Sequence, residues 1–245
     1  MIAAERVQAS IRAVNAADRE SVPAGPCTLY RHRTSDHPYL NYAVPDAGAS
    51  RWQGIGDLRA AFEALGLRPR LEFIAECAPG LEEALAAGGF ELEARIAVMT
   101  CPAGGLVQVP PPAGITIAAV TSAGDVRAYL EIGAEAFGEP PPSDEQVERS
   151  SPPVRGLLAR LDGVPAGIGS RSAVAEGVCE ITGIGVRERF RRRGIAAAIT
   201  AAAAVAAFAD GAELCFLTPG DDGAERVYAR AGFVRAGTTM VHMVG

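Results

Sequence analysis

The stretch Arg191-Arg192-Arg193-Gly194-Ile195-Ala196 constrains this chain more than any other. It follows an apolar, strand-like run, Val178-Cys179-Glu180-Ile181-Thr182-Gly183-Ile184-Gly185-Val186, and leads directly into an alanine-rich run that reads as a helix. The first N–H groups of a helix have no intrahelical partner, and the positive end of the helix dipole lies at the same spot. A strand, a basic glycine-containing turn and a helix start therefore make an anion site. Small residues at Gly194, Ala196, Ala197 and Ala198 let a ligand come close to the backbone.

The length of 245 residues allows two small domains or one large one, and 49% hydrophobic residues suffice for a real core. A net charge of -6 counts against nonspecific nucleic-acid binding. The five cysteines, Cys27, Cys77, Cys101, Cys179 and Cys215, are odd in number and show no metal-ligand spacing, which fits free thiols in a cytoplasmic protein. His32, His37 and His242 are dispersed. All 23 Lys+Arg positions are arginine, as codon bias in a GC-rich genome produces. Met1 to Asp18 has an amphipathic pattern carrying Glu5, Arg6 and Arg12, unlike a secretory signal. The uncharged run Ile195 to Ala209 is shorter than the roughly 20 residues a membrane span needs.

Val109-Pro110-Pro111-Pro112-Ala113-Gly114 is the clearest break, and it predicts two domains, 1–110 and 111–245. In the second, strands are expected at Ile115–Val120, Val154–Leu161, Val164–Ser172, up to Val186, Glu213–Leu217 and Phe233–Met243. Helices are expected from Ser122 to Phe137, Asp144 to Arg149, after the arginines, and from Gly223 to Ala231. The order predicts an α/β fold with a mixed central sheet flanked by helices. The first half holds a faint copy. Aligning Phe90 with Phe233 also aligns Phe73 with Phe216 and Leu85 with Tyr228, which predicts two related domains in tandem.

Arg191-x-x-Gly194-x-Ala196 and the downstream Tyr228-Ala229-Arg230-Ala231-Gly232-Phe233 resemble the GCN5-related N-acetyltransferase (GNAT) superfamily, over roughly Ile115 to Gly245. The resemblance implies the acyl-CoA N-acyltransferase-like fold and acetyl-coenzyme A as cofactor. It puts the pantetheine arm against the backbone of Ile184, Gly185 and Val186, and the pyrophosphate on Arg191, Arg192, Arg193, Gly194, Ile195, Ala196 and Ala197. It makes Tyr228 the general acid toward the departing thiolate, with core packing as the alternative role, and Glu180 a general base, with a surface salt bridge as the alternative. By strand alternation Glu180 shares a face with Thr182, Ile184 and Val186. The family often has Asn seven residues before the Tyr; here Asp221 stands there.

The resemblance implies an N-acetyltransferase that moves an acetyl group to a small-molecule or peptide amine by direct attack in a ternary complex. Nucleic acid, membrane and metal are not expected as partners, and a monomer or homodimer is. The competing class is a non-catalytic acyl-CoA-binding sensor or interaction module. Arg51-Trp52-Gln53-Gly54-Ile55-Gly56 also fits the loop pattern, but Asp57 beside it repels phosphate, so only the second half is expected to bind the cofactor.

Overall fold

A computed structural model describes residues 3–33 and 35–245. In chain order they form α1 (Ala3–Asp18), β1 (Glu20–Ala24), β2 (Cys27–Arg31), β3 (Tyr42–Pro45), α2 (Ile55–Ala64), β4 (Arg70–Ile74), α3 (Leu81–Ala87) and β5 (Glu91–Pro102). There follow β6 (Ile115–Ala119), α4 (Ala123–Phe137), α5 (Asp144–Arg149), β7 (Leu157–Leu161), β8 (Val164–Arg171) and β9 (Val178–Val186). The chain ends with α6 (Ile195–Ala209), β10 (Leu214–Leu217), α7 (Asp222–Arg230) and β11 (Val234–Val244). Met1 and Ile2, expected within the first helix, lie outside the described residues.

The chain divides into two compact units, Met1–Val98 with Arg235–Gly245, and Met99–Val234. The prolines 110–112 thus fall within the span of the second unit. Strand pairing decides this division: the tail of β5, Met99–Pro102, pairs antiparallel with β10, whereas β11 pairs antiparallel with β4 over Met240–Val244. A proline-rich loop breaks local structure, but unit membership follows from which strands share a ladder.

In the first unit β1, β2 and β3 form an antiparallel meander, and β3 runs parallel to β4 through Ala43 and Leu71. Leu58 and Phe62 of α2, Leu81 and Leu85 of α3, and Leu71 and Phe73 of β4 bury one core, which Val241 and Met243 of β11 complete.

The second unit orders its strands β10-β9-β8-β7-β6, with β10 parallel to β9 and the others antiparallel. The β7–β8 hairpin turns at Asp162 (φ 49°) and Gly163 (φ 82°). Two positive φ values in succession give the turn whose twist suits adjacent antiparallel strands. Helices cover both faces. Ile195 and Ile199 of α6 pack on Ala159, Ala166 and Val186, while Val126 and Ile132 of α4 pack on Leu158 and Ile168. The approach of α6 is close: a Cβ on Gly167 or Gly169 would lie 3.0 or 2.5 Å from the Ile199 side chain.

The two units share local details. The Phe90 amide donates to Leu85 C=O at 3.0 Å, and the Phe233 amide to Tyr228 C=O at 3.2 Å. Both helices end through a left-handed glycine, Gly89 (φ 80°) and Gly232 (φ 95°). Gly54 (φ 87°) and Gly194 (φ 80°) likewise start α2 and α6. Left-handed glycines thus flank helices in both units, Gly89 and Gly232 at positions that the Phe90/Phe233 alignment pairs.

Candidate active site

The site begins where two parallel strands part. Strand β9 pairs with β10 only through Val178, Cys179 and Glu180, opposite Leu214, Cys215 and Phe216. Strand β10 ends at Leu217, ahead of Thr218 and Pro219, and proline has no N–H to continue a ladder. Beyond Glu180, β9 stays bound to β8 alone. Val186 stands opposite Gly167, and the Arg187 amide donates to Ala166 C=O at 3.0 Å. Val186 thus holds a non-hydrogen-bonded position of that antiparallel ladder, so its own N–H and C=O point to the side β10 has vacated. Its C=O accepts from Arg191 Nε at 3.2 Å.

A bulge changes the faces of β9. Ser170 pairs with Thr182 and Ile168 with Gly185, so Gly183 and Ile184 together oppose Gly169, and Gly183 takes φ 64°. Before the bulge, Cys179 and Ile181 pack with Ala201, Ala203 and Ala204 of α6; after it, Ile184 and Val186 face Ile195 and Ile199 of the same helix. A Cβ on Gly185 would lie 2.8 Å from Ala136 of α4, on the opposite face. The expectation that Glu180 and Thr182 share a face with Ile184 and Val186 is corrected accordingly. The extra residue resets the alternation, and Glu180 and Thr182 lie on the α4 face.

The anion cradle forms between β9 and α6. Arg192 adopts φ 61°, a left-handed conformation uncommon for a side chain with a Cβ, and Gly194 adopts φ 80° at the N-cap. No side chain caps α6, and its first intrahelical bond runs from the Ala198 amide to Gly194 C=O at 3.1 Å. The amides of Ile195, Ala196 and Ala197 are left as donors at the positive end of the helix. By contrast Ser122, Ser143 and Asp221 cap α4, α5 and α7 with their side chains.

A cavity of about 700 Å³ opens over these amides. Ile184, Gly185, Val186, Arg191, Arg192, Gly194, Ile195, Ala196 and Ala197 all line it. Of the loop residues singled out in the sequence, Arg193 does not; its guanidinium lies 6.0 Å from the Phe190 ring centroid, and that of Arg189 lies at 4.9 Å. The far wall comes from α7 and its cap: Asp221, Gly223, Ala224, Arg226, Val227 and Arg230. Arg226 and Arg230, one turn apart, add positive charge that the loop motif alone did not reveal; their i, i+4 spacing was the available signal. A cavity lined by the apolar side chains of Ile184, Val186 and Val227 as well as by uncapped amides and arginines suits a molecule that carries both an apolar arm and a pyrophosphate.

Tyr228 and Glu180 do not line this cavity. Tyr228 is 8% exposed and packs with Phe233, Ala201 and Leu217. Burial pushes its hydroxyl pKa up, and the Asp221 carboxylate adds to that, so the group is protonated at neutral pH. The Glu180 amide donates to Ser172 Oγ at 3.0 Å, which fixes its backbone. On the same α4 side, the Tyr129 hydroxyl approaches Gly183. Asp144 and Glu145 are engaged with Arg127 and Arg149 at 2.9 and 2.6 Å. No metal-holding cluster occurs among the described residues.

A GCN5-related N-acetyltransferase from Kribbella flavida is 32% identical, with a TM-score of 0.83, over 100% of this chain and 96% of that one. The chain belongs to the GCN5-related N-acetyltransferase family. The profile of the acetyltransferase (GNAT) family matches residues 126–233. A GCN5-related N-acetyltransferase from Sphaerobacter thermophilus has the same fold at 22% identity and TM-score 0.65, covering 99% of this chain and 90% of that one. A tandem GNAT protein from the clavulanic acid biosynthesis pathway does so at 15% identity and TM-score 0.58, covering 89% and 78%. No curated protein matches the sequence.

Membership of the GNAT family makes acyl transfer the chain's general chemistry. The Gly54 loop of the first unit, which fits the same sequence pattern, is closed by its own backbone. A Cβ on Gly25 would lie 2.5 Å from Gly54 C=O, and one on Gly54 would lie 3.1 Å from the Asp57 carboxylate. The β1–β2 turn thus occupies the space above the start of α2. Leu85, buried in that unit's core, stands where the sequence alignment puts Tyr228 of the second unit.

Proposed function

We propose that the second unit is an acetyl-coenzyme A-dependent N-acetyltransferase that acylates a primary amine by direct attack in a ternary complex. One observation carries the reading: the parted strands, the uncapped start of α6 and the arginines of α7 line a single cavity of about 700 Å³. When bound, the cofactor supplies an acetyl thioester. The amides of Ile195, Ala196 and Ala197, with Arg192, Arg226 and Arg230 around them, hold its phosphates. Val186 turns its N–H toward the opened side of β9, where it can donate to a carbonyl oxygen gaining charge. Tyr228, protonated because buried, is suited to give a proton or hydrogen bond to the leaving sulfur. Glu180, on the α4 face at the last residue of β9 that pairs with β10, is the carboxylate assigned to take a proton from the amine, directly or through water.

Two substitutions test the assignment. Tyr228→Phe keeps the ring and its packing. Its turnover should fall by roughly 10- to 1,000-fold, about 1.4 to 4 kcal/mol, with coenzyme A affinity nearly unchanged. Glu180→Gln should lose most activity at low pH, where the amine is protonated, and regain part of it as pH rises. Thiol release over a panel of amines reads both. Wild-type turnover by Tyr228→Phe would remove the acid role. Tight coenzyme A binding without thiol release for any amine would favour the sensor.

A further inference from the structure

The first unit has a second cavity, of about 590 Å³, lined by α1, the end of β3, the loop after it and the segment after β4. Its charged residues are Glu5, Asp46 and Glu76 against the single cation Arg12. Gln8, 2% exposed, also lines it. Gln8 Oε1 accepts from the Ile74 amide at 2.7 Å, which fixes the orientation of the side-chain amide. Gln8 Nε2 is left buried with no hydrogen-bond partner among the described residues. A buried donor without an acceptor is costly, and native interiors rarely keep one. The carboxylates are held in place. Glu76 accepts from Thr238 Oγ1 and, at 3.1 Å, from the Thr239 amide, while Asp46 accepts from Thr28 Oγ1 at 2.6 Å. Arg12 donates to Pro45 C=O at 3.4 Å, so part of its guanidinium is committed to the wall.

We infer that this cavity binds a small organic cation: an ammonium group lies among Glu5, Asp46 and Glu76, and a carbonyl or hydroxyl oxygen of the same molecule accepts from Gln8 Nε2. The balance of three carboxylates to one guanidinium selects the sign of the ligand, and the orphaned amide selects an oxygen acceptor on it. The first unit is then a ligand-binding module in its own right. It needs no coenzyme A, because the start of its α2 is covered by the β1–β2 turn.

Cys77, half-buried at the same cavity, provides a reporter, since the other four cysteines are buried. The full chain is titrated by calorimetry with L-lysinamide, ethanolamine and D-glucosamine, without coenzyme A. In parallel, Cys77 alkylation by iodoacetamide is followed by peptide mass spectrometry. At least one amine should bind at one per chain and slow the alkylation. Glu5→Gln, at an exposed position, should weaken that amine about tenfold, and n-butylamine, which has no oxygen, should bind about tenfold more weakly than it. The inference is overturned if none of the three amines binds, or if binding leaves Cys77 alkylation unchanged. Equal affinity in Glu5→Gln overturns the cation assignment, and equal affinity for n-butylamine overturns the role of Gln8.

Discussion

Gly194 carries two burdens. Its φ of 80° belongs to the left-handed region, and a side chain there would stand beside the amides that form the cradle. Gly194→Val should therefore cost about 1–2 kcal/mol of stability from backbone strain. It should also cost about 2–4 kcal/mol of coenzyme A affinity from lost charge-assisted hydrogen bonds. Gly211 separates the two effects: its φ is 93°, and a Cβ there would meet nothing within 4 Å. Gly211→Val should destabilise the fold and leave the affinity intact, as denaturation and calorimetry on both variants will show. The importance of Gly194 was legible in the sequence because it depends on one local pattern. The contribution of Arg226 was not, because it depends on α7 packing against a loop some 30 residues earlier in the chain. The face of Glu180 was misread for a related reason. Alternation is a rule of unbroken strands, and nothing in Thr182-Gly183-Ile184-Gly185 says which glycine takes a positive φ.

At the scale of the element, α4 begins with a reciprocal cap. Ser122 Oγ accepts from the Asp125 amide at 3.1 Å, and the Asp125 carboxylate accepts from the Ser122 and Thr121 amides at 3.1 Å. These amides, together with Arg160, hold the Asp125 carboxyl well below the usual carboxylate range. A depressed carboxylate pKa stabilises the fold above the unfolded value of about 3.9 and loses that effect as pH falls through the folded value. Asp125→Asn should therefore lower the melting temperature most at pH 7 and by a smaller margin at pH 3, where the unfolded carboxyl is largely protonated while the folded one is still ionised. An equal loss at both pH values would assign the effect to geometry rather than charge. On the facing side of the sheet the control is steric. Gly169→Ala places a methyl 2.5 Å from Ile199 and 2.7 Å from Ile184, and overpacking of this kind costs about 1–3 kcal/mol. The helix α6 was easy to read from its alanines, but the two β8 glycines that seat it acquire meaning only once the strand lies beneath the helix.

At the scale of the molecule, the question is where to cut. A border at the prolines would separate 1–110 from 111–245. The second of these fragments lacks Met99–Pro102, which pair with the whole of β10 from Leu214 to Leu217, and it loses Met99 and Cys101 from the core around Tyr228 and Phe233. It also carries β11, whose partners Arg70–Ile74 lie in the other fragment. Those strands are bound by more than backbone: Arg70, almost fully buried, is paired with Glu72 of β4 and Glu93 of β5, and its guanidinium lies 3.1 Å from His242 Nδ1 of β11. A border at the prolines takes His242 from beside Arg70 and leaves β4 of the 1–110 fragment without its β11 partner. The fragment Met99–Val234 keeps both strand sets consistent and contains every residue that lines the cavity of about 700 Å³. It should fold cooperatively and bind coenzyme A within about tenfold of the full chain, whereas 111–245 should aggregate through the exposed edge of β10. Residues 1–98 should gain a cooperative melting transition only when a peptide of residues 235–245 is added. Circular dichroism, calorimetry and sedimentation on the three fragments decide between the borders. If 111–245 proves the folded, cofactor-binding piece, loop composition rather than strand pairing sets the units of this chain.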